Sequence, residues 1–269
     1  SCDPLSLRQR RSERIDDLGF RLDPAAPASR VVSLAPSLTE SIAETRPEAL
    51  VAATQWCTYP EGLDVPRIRG TKNPDCAAII AIAPDLVIAN QEENREIDVR
   101  RLRDAGIPVW VTRIETVAEA LTSMERMFEV GLGWPVPEWL RAARIAWDTP
   151  SEPIDATVAV VIWRNPWMVV GPRTFAHDLL GRLGLTNAFG DSADRYPKVE
   201  IADMDRAGID LVLLPDEPYV FNAQDGPDAF SQARTALVNG RLLTWYGPSL
   251  VTSRAELTSI IQDALAQGH

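Results

Sequence analysis

Asp85-Leu86-Val87-Ile88-Ala89 and Asp210-Leu211-Val212-Leu213-Leu214 are two copies of one design: an acidic residue, then four consecutive apolar ones. An apolar run this short, with no polar alternation, suits a strand buried on both faces of a parallel sheet. Parallel neighbours need crossover connections between them, usually helices, and the chain supplies helical patterns in alternation with strands. In the first half Arg30 to Leu34, Leu50 to Ala53 and Pro108 to Val111 read as further strands. Helices are predicted after Ser37, whose spacing to Glu40 is that of a capping box, and from Asn73-Pro74, with Asn as cap and Pro at the first helical position. A third runs over Val99 to Ala105 and closes at Gly106. Thr116 to Val130 is helical in pattern, is interrupted by Gly131, Gly133 and Pro135, and resumes over Glu138 to Trp147. The second half repeats the plan: strand Thr157 to Trp163, helix Phe175 to Leu183, strand Asp210 to Leu214, a late strand Leu242-Leu243-Thr244 and a closing helix Arg254 to Ala266.

The predicted fold class is therefore α/β, with two doubly wound lobes of parallel sheet. An N-terminal arm covers 1–28, the first lobe 29–135, a linking helix 136–150 and the second lobe 151–269. A ligand cleft is expected between the lobes.

Charge and cysteine usage remove several function classes. Lys and Arg number 27 against 38 Asp and Glu, a net charge of −11, and a phosphate-backbone partner needs the opposite balance. No nucleic-acid role is expected. No apolar run reaches the roughly 18 residues of a membrane span. Cys2, Cys57 and Cys76 are too few for a disulfide framework and have no zinc-site spacing. The N-terminus shows no apolar signal core, so an export signal is either absent or removed. Cys2 reads either as the lipidated residue of a processed lipoprotein or as an incidental tail residue. An extracytoplasmic location, lipid-anchored through Cys2, is the expectation, with a cytoplasmic one as the alternative.

In open α/β sheets ligands bind outside the carboxyl ends of the strands. The segments there hold Trp56, Tyr59, Trp163, Trp167, Tyr219, Trp245 and Tyr246, and Tyr196 lies in another loop. Rigid, amphipathic rings suit a broad apolar ligand with polar edges; the bland reading is that they cap the sheets. Glu92-Glu93 and Asp216-Glu217 sit at matching points of the two halves, either to hydrogen-bond a ligand's amide edges or as solvated, loop-shaping residues. Arg164 and Arg195 either recognise carboxylates or serve as structural ion-pair partners. Cys57 is either a soft metal-centre ligand or a small buried residue. Two histidines, one of them the terminal His269, exclude a His-rich metal site, and His177 reads as an ordinary helix residue. No P-loop, Gly-x-Gly-x-x-Gly or Gly-x-Ser-x-Gly motif is present. Neither catalytic residues nor a resident metal or cofactor are expected.

Arg30-Val31-Val32-Ser33-Leu34-Ala35-Pro36-Ser37-Leu38-Thr39-Glu40 resembles the opening of helical-backbone (class III) substrate-binding proteins of ABC importers, a group that includes the helical backbone metal receptors. Tyr59-Pro60, Asn73-Pro74 leading to Ala83-Pro84-Asp85-Leu86-Val87, and Gly106-Ile107-Pro108-Val109 carry the same likeness. The resemblance implies two rigid lobes on a backbone helix and a metal-chelate ligand such as vitamin B12, a siderophore or haem. It places family cleft aromatics at Trp56 and Tyr196. The ligand-binding set expected on both grounds is Trp56, Tyr59, Glu92, Trp163, Arg164, Trp167, Tyr196, Trp245 and Tyr246. The family's permease-docking Glu positions fall on Ala77 and Ala202, with Asp75, Glu200 and Asp203 nearby, so an ABC permease is expected as partner without its usual docking charges. The rivals are a cytosolic sensor or carrier, and a metal-chelate-handling enzyme on the same scaffold.

Overall fold

The computed structural model describes residues 13–55 and 57–267. Contacts divide the chain into two units. One runs up to Ile114 and includes Glu119–Arg141; the other comprises Glu115–Ala118 and the chain from Ala142 onward.

The first unit is a four-stranded parallel sheet. Its strands β1 (Val31–Ser33), β2 (Leu50–Ala53), β5 (Leu86–Asn90) and β6 (Val109–Thr112) stand in the order β2-β1-β5-β6. Helices α1 (Pro36–Thr45), α2 (Cys76–Ile82) and α3 (Glu96–Asp104) provide its crossovers. Between β2 and α2 lies a short antiparallel pair, β3 (Arg69–Gly70) with β4 (Asn73–Pro74). All five side chains of β5 are buried, as its unbroken apolar run requires, and Val32, Leu34, Ile79, Val87 and Leu102 meet in one core.

Two helix starts differ from expectation. Helix α1 begins at Pro36, capped by Ala35 with no side-chain bond, because a Pro at the first position needs no donor satisfied and presets the helical φ. Ser37 is already inside the helix and buried. Asn73-Pro74 is not a helix start but strand β4, and the Asn73 side chain accepts from the Gly70 N–H at 3.1 Å. The cap is Asp75, whose carboxylate accepts from the Ala78 N–H at 3.0 Å.

The stretch expected as a leading arm is an ordered turn over residues 15–21, closed by an Ile15–Arg21 bridge. Asp16 fills it. Its carboxylate accepts from the N–H groups of Leu18 and Phe20 at 3.0 and 2.9 Å, and from Arg103 and the Val111 N–H at 3.0 Å each. Asp17 binds Arg113 N–H, Ser123 and Arg126. The arm is thus bolted to the edge strand β6 and to helix α4 (Val117–Arg126).

Helix α4 continues as a wide π-helical stretch, Met127–Leu132, ending at Gly133 with φ +72°. Gly131 is required there: a Cβ would lie 2.9 Å from the buried ring of Trp110. The division between the units falls at three points along the chain. It falls at both ends of Glu115–Ala118, and again inside helix α5 (Glu138–Asp148), between Arg141 and Ala142.

The second unit is built on β7 (Ala156–Trp163). Strands β10 (Leu211–Pro215) and β11 (Thr235–Val238) run parallel on one side. Its other edge takes β9 (Leu185–Asn187), in parallel along Ala156 to Val158, and the antiparallel β8 (Met168–Val169) near its end. Helices α6 (Phe175–Arg182), α7 (Ile201–Met204), α8 (Gly240–Thr244) and α9 (Ser253–Ala266) complete it. The predicted late strand Leu242-Leu243-Thr244 is helix α8, opened by Asn239 accepting from the Arg241 N–H at 3.0 Å. A three-residue apolar run does not distinguish the two states by itself.

The duplicated acidic residues have one structural role. Asp85 accepts from the Ser29 and Arg30 N–H groups at 2.7 and 2.9 Å, fastening the entry of β1 beside β5, and the Ser29 bond leads in holding its carboxyl below the usual range. Asp210 accepts from the Thr157 N–H at 2.8 Å and fastens β7 beside β10 in the same way.

A third carboxylate, Asp205 after α7, gathers the N–H groups of Ala233, Ser231 and Gln232 at 2.7–2.9 Å, together with the Ser231 hydroxyl. These bonds, Ala233 first, hold its carboxyl down to about 2. An unfolded Asp titrates near 3.9 (about 4). The depressed folded value means Asp205 stabilises above about pH 4 and loses that contribution as pH falls toward 2. Asp205→Asn is therefore expected to lower the urea midpoint at pH 7, with the gap to the parent protein closing between about pH 4 and 2. A gap that stays constant through that range rejects the assignment.

Candidate functional site

In the first unit the loops at the carboxyl ends of the strands rest on a buried polar network. Asn94 donates to the carbonyls of Leu34 and Thr71 at 2.9 and 3.1 Å, and accepts from the Asn90 N–H at 2.8 Å. Asn90 donates to Thr112 Oγ1 at 3.0 Å and accepts from the Glu92 and Glu93 N–H groups at 3.0 and 3.2 Å. Satisfied buried networks of this kind fix a single conformation, so the Glu92-Glu93 turn is held from below. Glu92 is exposed, and its carbonyl accepts from Lys72 at 2.6 Å. Burial, followed by the neighbouring Glu92 charge, pushes the Glu93 carboxyl above the usual range, with Lys72 opposing.

Tyr59 is half-buried and precedes a cis Pro60. Trp56 lies outside the described residues, as do Cys2 and His269. Cys57 is buried, donating to Thr39 at 3.1 Å and lying 3.2 Å from Thr54 Oγ1, the geometry of the small-buried-residue alternative. Among the described residues no cluster of His, Cys, Asp or Glu is arranged to hold a metal ion.

In the second unit β7 ends in Trp163, which is 42% exposed. Tyr219, from the loop after β10, meets it edge-on at 5.3 Å between ring centroids, an attractive geometry. Behind this pair, Trp167 stacks on Phe221 (6.3 Å, 2° between planes) and meets Phe230 edge-on at 5.9 Å. Trp167 is therefore half-buried and packed against the core of the unit, with Phe221 buried beneath it.

Arg164 decides between its two readings. Its guanidinium forks onto Asp228, with both bonds at 2.9 Å, and reaches Asp225 at 2.6 Å. Those contacts, Asp228 first, raise the guanidinium further above its ordinary value and hold Asp228 down to about 2. Arg164 thus makes structural ion pairs with Asp225 and Asp228. Asp225 also accepts from the Tyr219 hydroxyl, and Arg164 lies over the Trp167 ring at 5.1 Å.

Tyr196 is half-buried with Arg195 over its ring at 5.5 Å. Trp245 and Tyr246 are each only 8% exposed, and Tyr246 packs edge-on against Phe175 at 5.7 Å; both face protein and not solvent. Asp216 accepts from the Gly240 N–H at 2.8 Å and shapes the start of α8. His177 lies 3.1 Å from the Asn187 amide, an ordinary partner. Ala77 and Ala202 are both exposed at the second position of their helices, α2 and α7, and each follows an acidic N-cap by two residues, Asp75 and Glu200.

Sequence reasoning missed Phe221, Phe230, Asp225 and Asp228. The alternation Tyr219-x-Phe221 was the available signal for a half-buried aromatic edge; the two acids carry no local signal.

No family model matches the chain. The vitamin B12-binding protein of Vibrio parahaemolyticus is 24% identical over 185 residues, 65% of this chain and 66% of that protein. The chain thus matches just under two thirds of the length of its curated relatives. Among solved structures, the periplasmic heme-binding protein RhuT from Roseiflexus sp. RS-1 superposes with a TM-score of 0.73 at 21% identity, covering 88% of this chain and 99% of that one. The chain has the helical-backbone binding-protein fold. The periplasmic vitamin B12 binding protein BtuF of Vibrio cholerae agrees, with a TM-score of 0.67 at 19% identity over 90% of this chain and 99% of that one. The α/β helical-backbone architecture expected from the opening strand and the Ala83-Pro84-Asp85 segment is thereby found.

Proposed function

We propose that this protein reversibly binds a metal-chelate solute with a broad flat face and uncharged, amide-bearing edges, of the cobalamin kind, for ABC-type uptake. The observation that carries the reading is Trp163: a large ring left open to solvent at the carboxyl end of a central strand, braced by Tyr219. Covering about 300 Å² of apolar ligand surface contributes roughly 7 kcal/mol before ordering costs, the scale of micromolar binding. The internal neutralisation of Arg164 by Asp225 and Asp228 argues against carboxylate-rich chelates, because the guanidinium already has its partners. The similarity to vitamin B12-binding and periplasmic heme-binding proteins supports a chelate ligand and an extracytoplasmic location. Anchoring through Cys2 belongs to the same proposal. For permease docking, the acidic groups at hand are the paired caps Asp75 and Glu200, since the expected positions are Ala77 and Ala202.

Titration with cyanocobalamin, haem and ferric siderophores, followed by tryptophan emission, tests the reading. Saturable quenching by cyanocobalamin at micromolar concentration, with a weaker response to haem, is expected. Silence toward all three removes the proposal, and a chelate recovered chemically altered after long incubation replaces binding with catalysis.

A further inference from the structure

A ring that stands 42% open to solvent at a strand end has few neighbours to hold its χ angles. Among the described residues, the Tyr219 ring meets Trp163 edge-on at 5.3 Å between centroids. Tyr219 is in turn fixed at both ends. Its ring leans on Phe221 at 4.4 Å, and its hydroxyl donates to Asp225. Asp225 and Asp228 flank the Gly226-Pro227 turn, where Gly226 has φ +129° and a Cβ would lie 2.7 Å from Phe221. The Gly226 N–H donates to Asp228 at 2.8 Å, so that carboxylate is part of the turn itself. Arg164, the residue directly after Trp163, closes the circuit by forking onto Asp228 and reaching Asp225.

We propose that Arg164 is a positioning residue: with Asp225, Asp228 and the Tyr219 hydroxyl it forms a ring of charge-assisted bonds that sets the pose of Trp163 for a ligand's flat face. This rests on the binding reading above and deepens it. A planar guanidinium is needed, because only a fork spans both oxygens of Asp228 while still touching Asp225. A lysine supplies the charge without the geometry. The bonds are local to one unit and to a side chain already 19% exposed, so their loss is expected to loosen the ring more than the fold.

The test uses the full chain grown with 5-fluorotryptophan, in which the Trp163 fluorine line is assigned by its loss in Trp163→Phe. Arg164→Lys and Tyr219→Phe are compared with the parent for that line, for the far-ultraviolet dichroism spectrum and for affinity toward cyanocobalamin. The expected result is a shifted or broadened Trp163 line in both variants, with the Trp110, Trp134 and Trp147 lines unmoved and affinity lowered about ten-fold, the scale of one lost aromatic placement. A Trp163 line identical to the parent's in both folded variants overturns the proposal. Should Arg164→Lys fail to fold, Tyr219→Phe, which removes a single oxygen, decides alone. If the parent binds no chelate the functional reading fails, while the fluorine line still decides whether Arg164 positions the ring.

Discussion

Asp16→Ala is expected to lower stability by about 4 kcal/mol, more than any other single-residue change considered for this protein. The carboxylate is fully buried and its ion-pair partner Arg103 only 20% exposed, so this is not a surface pair worth a fraction of a kcal/mol. Removing it strands a guanidinium that burial already disfavours. The Arg103 head also covers the Phe20 ring at 3.5 Å and donates to the Val109 carbonyl at 2.8 Å, so it is not free to swing out into water. Three N–H groups, of Leu18, Phe20 and Val111, lose their acceptor at the same time. Chemical unfolding of Asp16→Ala, Arg103→Ala and the double variant measures the coupling. The double variant is expected to lose clearly less than the sum of the two. Strict additivity, or a loss below about 1 kcal/mol for Asp16→Ala, rejects the buried-latch account.

Trp163→Ala is expected to weaken cyanocobalamin binding by about thirty-fold, the range of a central aromatic anchor, while leaving stability within about 1 kcal/mol because the ring is largely open. Trp167→Ala is the informative contrast. That ring stacks on Phe221 and meets Phe230 edge-on against the core of the second unit, so its truncation is expected to destabilise by about 3 kcal/mol through the cavity it leaves. Calorimetric titration and urea midpoints on the two variants separate the roles. Equal affinity for the Trp163 variant and the parent returns that ring to mere sheet-capping.

The buried strands were legible because burial on both faces leaves a mark in consecutive letters: Leu86 to Asn90 and Leu211 to Pro215 are strands as read, within a residue. Helix starts were less so. Asn73 failed as a cap because the Arg69–Gly70 segment returns to pair with it, and the adjacent Asp75 took the role. Nothing in the letters around Asn73 announces that pairing. At the candidate site the aromatic residues were visible but their burial was not. Trp163 and Trp245 look alike in sequence, each closing a short apolar stretch, yet one is open and the other enclosed. The readings of Arg164 stayed open for a plainer reason: its partners lie 61 and 64 residues downstream, a separation over which one sequence carries no pairing signal.

The openness of Trp163 has an optical consequence. Among the described indoles, Trp110, Trp134, Trp147 and Trp245 are enclosed and only Trp163 stands more than a third uncovered. A small neutral collider such as acrylamide, diffusing through the buffer, strikes that ring more often than any other described indole. Among the described indoles, that ring then gives the most strongly quenched share of the emission decay and the four enclosed ones the least, with no label attached.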